Sequence, residues 1–274
     1  MERIKQALER AREQRTDPFA ATPTQVPYAR KRDHSPAPAP SQIVYTQTRQ
    51  LDVDPEFLRA NRVISSLNDP VSEPYKLLRT KALQRIRANN WRTLAITSPT
   101  EGCGKTLTSI NLAISIAREA NQTVLLADLD LKRPQVQRYL TRDEHPGISD
   151  YLLRQTPVPD LLFNVKGVER LVVLPGHDSI THSSEMLSSP RMVGLMQEMK
   201  TRYPSRVVLV DMPPLLVSDD VLALSPYLDA VLVVASDGET DRDDLTRAVG
   251  LLEQMNILGI TLNKSSARNY GYYY

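Results

Sequence analysis

Six short runs of apolar and β-branched residues, at positions 94–97, 124–127, 171–174, 207–210, 231–235 and 257–262, are separated by stretches with helical spacing such as Leu107, Ile110, Ile114 and Ala117. A strand that is apolar on both sides needs cover on both faces, and alternation with helices supplies it. The pattern predicts an α/β fold with a mostly parallel central sheet flanked by helices. In such sheets ligands bind beyond the carboxyl ends of the strands, so the residues following each run are the informative ones. The first part of the chain reads differently. Ile4, Leu8 and Ala11 share one narrow face among Arg and Glu, which predicts a short amphipathic helix over 1–15. Six of the twenty prolines fall between Pro18 and Pro40, whereas all ten glycines lie beyond residue 101. The expected organisation is therefore a helix over 1–15, a Pro-rich linker with little order over 16–69, a domain over 70–264 and a tail over 265–274.

The first run is followed by Ser98-Pro99-Thr100-Glu101-Gly102-Cys103-Gly104-Lys105-Thr106 and then by helical spacing. This is a Walker A loop in its strand–loop–helix setting, with Pro99 where the strict pattern has its first glycine. Gly102 and Gly104 let backbone amides curl around phosphates, and the helix N-terminus adds a favourable dipole. Lys105 is placed to bridge the β- and γ-phosphates of ATP, and the Thr106 hydroxyl to bind Mg²⁺. The candidate nucleotide-binding residues are Glu101, Gly102, Cys103, Gly104, Lys105, Thr106 and Leu107. The second run ends in Asp128-Leu129-Asp130, two acids one residue apart that project toward the same phosphate-bearing edge. The fourth ends in Asp211-Met212-Pro213-Pro214, where the acid after four apolar residues reads as a Walker B ligand for Mg²⁺. Together they predict one P-loop NTPase site from three strand ends, with Thr106, Asp130 and Asp211 around the metal.

Composition narrows the setting. One cysteine rules out a disulfide framework or a cysteine-cluster metal site within the chain. The net charge of +2 arises entirely within residues 1–60, so the bulk balance gives no sign of nucleic-acid binding. No run approaches the ~20 apolar residues needed to cross a bilayer, and there is no signal-peptide core, so the expected location is cytoplasmic. The unusual count is tyrosine: four of eleven, Tyr270, Tyr272, Tyr273 and Tyr274, sit in the last five residues. Burial cannot repay such a cluster in a solvent-facing tail.

Taken jointly, these motifs resemble the bacterial tyrosine kinases (BY-kinases), P-loop kinases that accompany exopolysaccharide and capsule export. The segment from Asp128 to Pro134 matches their second acidic motif, except that Lys132 stands where the family has Arg. Ser184-Glu185-Met186-Leu187-Ser188-Ser189 is similar to another family segment, and 258–264 to the closing strand, whose Asn, here Asn263, recognises the adenine edge. Glu73, Lys76 and Arg79 resemble the family's oligomerisation stripe, with Lys76 in place of an Arg. The resemblance implies ATP·Mg²⁺-dependent autophosphorylation of Tyr270, Tyr272, Tyr273 and Tyr274, with Lys105, Asp128 and Asp130 as catalytic residues. It assigns the tyrosine proton to Asp128, although spacing alone permits either acid. It also implies a homo-oligomeric ring whose members exchange tails, an inner-membrane polysaccharide co-polymerase acting as chain-length adaptor, a tyrosine phosphatase, and peripheral membrane association through that partner. The ten residues after Lys264 reach at most ~33–36 Å, which suits either their own site or a neighbour's. Two other readings remain: a MinD/ParA-type positioning ATPase, whose signature Lys is replaced here by Thr100, and a non-catalytic nucleotide-dependent scaffold of the export complex.

Overall fold

Eight strands form one sheet: β1 (Arg49–Leu51), β2 (Thr93–Thr97), β3 (Thr123–Asp128), β4 (Phe163–Val165), β5 (Leu171–Leu174), β6 (Arg206–Asp211), β7 (Ala230–Ser236) and β8 (Ile257–Asn263). They come from a computed structural model that describes residues 48–66, 68–119, 122–203 and 205–265. The expected helix over 1–15, the Pro-rich stretch to residue 42 and the tail tyrosines lie outside the described residues. The spatial order is β1-β4-β5-β3-β6-β2-β7-β8. Only the β4–β5 pair is antiparallel. The helices among the described residues are α1 (Pro55–Ala60), α2 (Ser72–Asn89), α3 (Lys105–Ala117), α4 (Val136–Leu140), α5 (Ile148–Arg154), α6 (Val158–Leu161), α7 (Ser183–Leu187), α8 (Pro190–Thr201), α9 (Asp220–Leu224) and α10 (Arg242–Gly250).

The pleat divides each central strand between two cores. Val124 and Leu126 of β3, with Leu232 and Val234 of β7, join the cluster that includes Leu83 and Ile86 of α2 and Ile110 and Ile114 of α3. Leu125, Ala127, Val231 and Val233 face the other way, against Leu195 and Met199 of α8 and Ala248 of α10. Each fully buried Val, Leu or Ile contributes about 1.5–3 kcal/mol. Apolar runs without alternation are thus what a sheet covered on both faces demands.

The expected linker over 16–69 is corrected at its C-terminal end. Residues 49–64 contribute the edge strand β1, which pairs with β4, and the helix α1. Leu51, Leu58, Val63 and Ile64 are buried in the core. The elements are short and interrupted by charge, so they carry no periodicity, but their ends are specified. Asp54 caps α1, accepting from the Glu56 amide at 2.9 Å, and Pro55 occupies the first turn. The buried Asn111 side chain of α3 then pins the exit, accepting from the Ile64 amide (2.9 Å) and donating to the Arg62 carbonyl (3.0 Å). Burying that amide is tolerable because its donor and acceptor are both satisfied.

Candidate active site

β2 delivers the chain directly into the Walker A loop, and α3 begins at Lys105. Gly102 and Gly104 hold φ of 78° and 86°, the left-handed turn that brings successive amides toward one point. Gly104 is also constrained by a close approach: a Cβ there would lie 2.2 Å from Nδ2 of Asn263, the last residue of β8. That amide donates to the Cys103 carbonyl at 2.9 Å, fastening the end of β8 to the phosphate loop. Gly104→Ala is expected to destabilise the fold by about 1–3 kcal/mol and to weaken nucleotide binding, both readable in a thermal melt with and without ADP. Unchanged stability and affinity would show that the contact is dispensable. Cys103 lies in the loop and Leu107 in the first turn of α3. The Cys103 thiol is buried, with the Thr240 hydroxyl 3.5 Å away, and Leu107 packs on the core.

The predicted acids converge on the loop with separate partners. The Lys105 ammonium donates to Asp130 Oδ2 at 2.7 Å and lies 3.7 Å from Asp211 Oδ2. Thr106 Oγ1 donates to Asp211 Oδ2 (2.6 Å) and Ser109 Oγ to Asp211 Oδ1 (2.9 Å). Ser109 was not among the sequence candidates. Its signal is position alone, three residues after Thr106 on the same helix face. Asp128 takes a different environment from Asp130. It is fully buried, Oδ2 accepts from the amides of Gln135 and Val136 at the start of α4, and Oδ1 is buried without a hydrogen-bond partner. Gly176 leaves room for this, since a Cβ there would meet Pro134 at 2.1 Å and the Asp128 carboxyl carbon at 3.3 Å.

Burial would lower the Lys105 pKa, but the carboxylates of Asp211 and Asp130 outweigh it and keep the ammonium charged. Burial raises Asp211 above the carboxylate range, although Lys105 and the Thr106 hydroxyl oppose the rise. Burial, then the charge of Asp211, push Asp128 up to about 8, against the amide of Val136 and the charge of Lys105. An acid that holds its proton near neutrality, with one oxygen unengaged, suits proton transfer. The Thr106 hydroxyl and the carboxylates of Asp130 and Asp211 are hard oxygen donors, which fits Mg²⁺ completed by phosphate oxygens and water. Among the described residues no group of three or more His, Cys, Asp or Glu could hold a metal by itself.

The other candidates are engaged within the chain. Glu101 pairs with Arg133 at 2.6 Å on the surface. Of the expected oligomerisation stripe, Glu73 and Lys76 pair with each other at 2.5 Å, while Arg79 turns toward α3, its Nε 3.6 Å from Glu119 and its Nη1 donating to the Ser115 carbonyl. No helix among the described residues is long and apolar enough to cross a membrane.

The chain is similar to known proteins. The ParA family, described as a NUBPL iron-transfer P-loop NTPase, matches residues 90–269. EpsB of Ralstonia solanacearum is 30% identical over 230 residues, covering 80% of this chain and 28% of that protein. The tyrosine-protein kinase YwqD of Bacillus subtilis (strain 168) is 28% identical over 223 residues, covering 78% of this chain and 92% of YwqD. The kinase domain of the Escherichia coli tyrosine kinase ETK superposes with a TM-score of 0.63 at 29% identity, covering 75% of this chain and 82% of that domain.

Proposed function

The chain belongs to the ParA family of P-loop NTPases, and from that premise we propose that it is an ATP-dependent protein-tyrosine kinase that phosphorylates the tyrosine cluster at its own C-terminus. The observation that carries the proposal is the contact between Asn263, the last residue of β8, and Cys103 of the phosphate loop, with Tyr270 only seven residues further along the sequence. Similarity to YwqD, which covers nearly all of that protein, supports the same reading.

The chemistry needs positioning and charge neutralisation more than covalent help from the protein. The loop amides and Lys105 bind the β- and γ-phosphates, with Lys105 exchanging its carboxylate partners for phosphate oxygens. Thr106 and Asp211, with Asp130, would hold Mg²⁺, which would supply screening of the phosphate charge. Asp128, in the ionised form that the charge of Lys105 favours, orients the tyrosine hydroxyl and takes its proton, a useful role because an unperturbed phenol has a pKa near ~10. The family resemblance assigns the adenine edge to Asn263 as part of this proposal, and its side-chain amide donates to the Cys103 carbonyl.

In the cell, the proposal extends to a ring of subunits that exchange tails, to a membrane-bound polysaccharide co-polymerase that recruits the kinase, and to a phosphatase that resets it. Intact-mass and peptide mass spectrometry after incubation with ATP·Mg²⁺ test the core of the reading. Phosphate on residues 270–274 is the expected result. ADP release without modification would mark a positioning ATPase, and bound nucleotide without turnover a scaffold.

A further inference from the structure

The Walker A and Walker B loops are stitched together by backbone, through Leu215 N to the Ser98 carbonyl (2.8 Å) and Leu216 N to the Pro99 carbonyl (3.1 Å). The turn that carries Asp130 is joined to them differently. Beyond the Leu129 amide, which donates to the Asp211 carbonyl at 2.9 Å, its links to those loops run through side chains: Asp130 to Lys105, Arg133 to Glu101, and Lys132 to Ser218. The Arg133–Glu101 pair is exposed on both sides, and such pairs contribute ~1 kcal/mol or less. The Lys132 link is of another kind. Its ammonium donates to Ser218 Oγ at 2.9 Å, and Ser218 is buried. Two residues on lies Asp220, fully buried, with Oδ1 accepting from the buried Ser183 hydroxyl at 2.7 Å and Oδ2 without a hydrogen-bond partner. Burial raises the Asp220 carboxyl, while the hydroxyls of Ser183 and Ser218 and the charge of Lys132 favour its anion.

We propose that Lys132 and Asp220 are positioning residues: through Ser218 they anchor the turn after β3 to the Walker B segment and so hold Asp130 in register with Lys105. Neither residue touches the reacting atoms. The cation's partner is a single hydroxyl, which a compact ammonium satisfies without the forked geometry an arginine offers. The Lys132 charge favours the Asp220 anion, and by reciprocity a buried Asp220 charge favours the ammonium held at the Ser218 hydroxyl. On the same turn, Ser179 Oγ donates to the Lys132 carbonyl at 2.6 Å and the Ile180 amide to the Leu131 carbonyl at 2.8 Å, which fix the backbone from the other side. Releasing Lys132 therefore frees the side of the turn nearest the Walker B acid, a change that misaligns Asp130 and leaves the phosphate-binding amides untouched.

The inference takes its acceptor from the kinase reading, so the experiment measures phosphotyrosine formation and ADP release in the same reactions of the full chain. Lys132→Met and Asp220→Asn are each expected to lower kcat about 10-fold while KM for ATP stays within about 2-fold. The double variant is expected to fall no further than either alone, because both cut one link. Lys132→Arg, which keeps the charge, is expected to stay within about 3-fold of the natural chain. Where Asp220→Asn does not fold, Ser218→Ala cuts the same link with both charges kept and carries the same expectation. Natural kcat in Lys132→Met, an effect confined to KM, or two losses that multiply would each overturn the proposal. ADP release without phosphotyrosine in the natural chain overturns the kinase reading alone, since the positioning effect is then read on hydrolysis. A chain that turns over no ATP overturns both.

Discussion

Lys105→Met is expected to reduce phosphate transfer at least about 10³-fold, the scale of losing a preorganised charge aimed at the transferring group. Its ammonium lies between Asp130 and Asp211 in a site where its side chain is 12% exposed and theirs 6% and 0%. Two consequences follow from one deletion. The phosphates lose their cation, and the acids lose the charge that balances them. Removing one member of a buried pair costs about 3–5 kcal/mol if the remaining charge persists. Here Asp211 and the neighbouring Asp128 have a way out, because burial already favours their protonated forms. With Lys105 gone, their folded-state pKa values rise further above the unfolded value. The folded chain then binds more protons than the unfolded chain through mildly acidic and neutral pH, so stability falls as pH rises. The loss in melting temperature is accordingly expected to be larger at pH 8 than at pH 5.5. Scanning calorimetry of the nucleotide-free variant at both values, beside an anti-phosphotyrosine assay, checks this. Equal losses at the two pH values would show that the ammonium is not what balances these acids, and undiminished phosphotyrosine would end the mechanism.

Asp128→Asn is expected to move activity and stability in opposite directions. Loss of the proton acceptor should lower transfer at least about 10²-fold. Stability is governed by the same burial. The carboxyl is pushed from 3.8 to about 8 by desolvation and by Asp211. Between those values the folded chain holds a proton that the unfolded chain has released, so the natural protein loses stability as pH rises from about 4 to 8. Above 8 the buried anion is present in full, and the cost is on the order of a few kcal/mol. Asparagine keeps an oxygen to accept from the Gln135 and Val136 amides but carries no charge. The nucleotide-free variant should therefore melt higher than the natural chain at pH 8.5, with the advantage shrinking toward pH 5. A parallel pair of melting-versus-pH curves would remove Asp128 as the source of the slope, and natural transfer rates in the variant would remove it from the chemistry.

Much of this site is legible before folding because its signals are local. Six strands fall where near-continuous apolar runs require them, each within a residue or so of the expected ends. Gly-x-Gly-Lys-Thr and the acids that end β3 and β6 announce phosphate and metal because the strand–turn geometry that uses them is set by neighbours in the chain. β1 and β4 are hidden for the opposite reason. Arg49-Gln50-Leu51 and Phe163-Asn164-Val165 are three residues long with polar centres, and only the sheet makes them strands. Asn164 is tolerated at its buried position because its amide donates to the Val168, Glu169 and Leu171 carbonyls. Ser109, Ser218 and Asp220 belong to the same hidden class: nothing beside them in sequence says what they will touch.

The two acids of the second motif show where the boundary lies. One residue apart, Asp128 and Asp130 read as equivalents pointing to the same edge, and residue spacing carries no information to part them. The chain leaves the strand immediately after Asp128 and turns at Asp130, whose Oδ1 accepts from the Arg133 amide at 3.1 Å. That turn sends the second carboxylate to Lys105 and leaves the first against the N-terminus of α4, sealed by Pro134 and Gly176. The residue types and their order settle that a phosphate site exists. Dielectric and hydrogen-bond partners, which only packing supplies, settle which acid pairs with the lysine and which is buried against amides with its pKa raised.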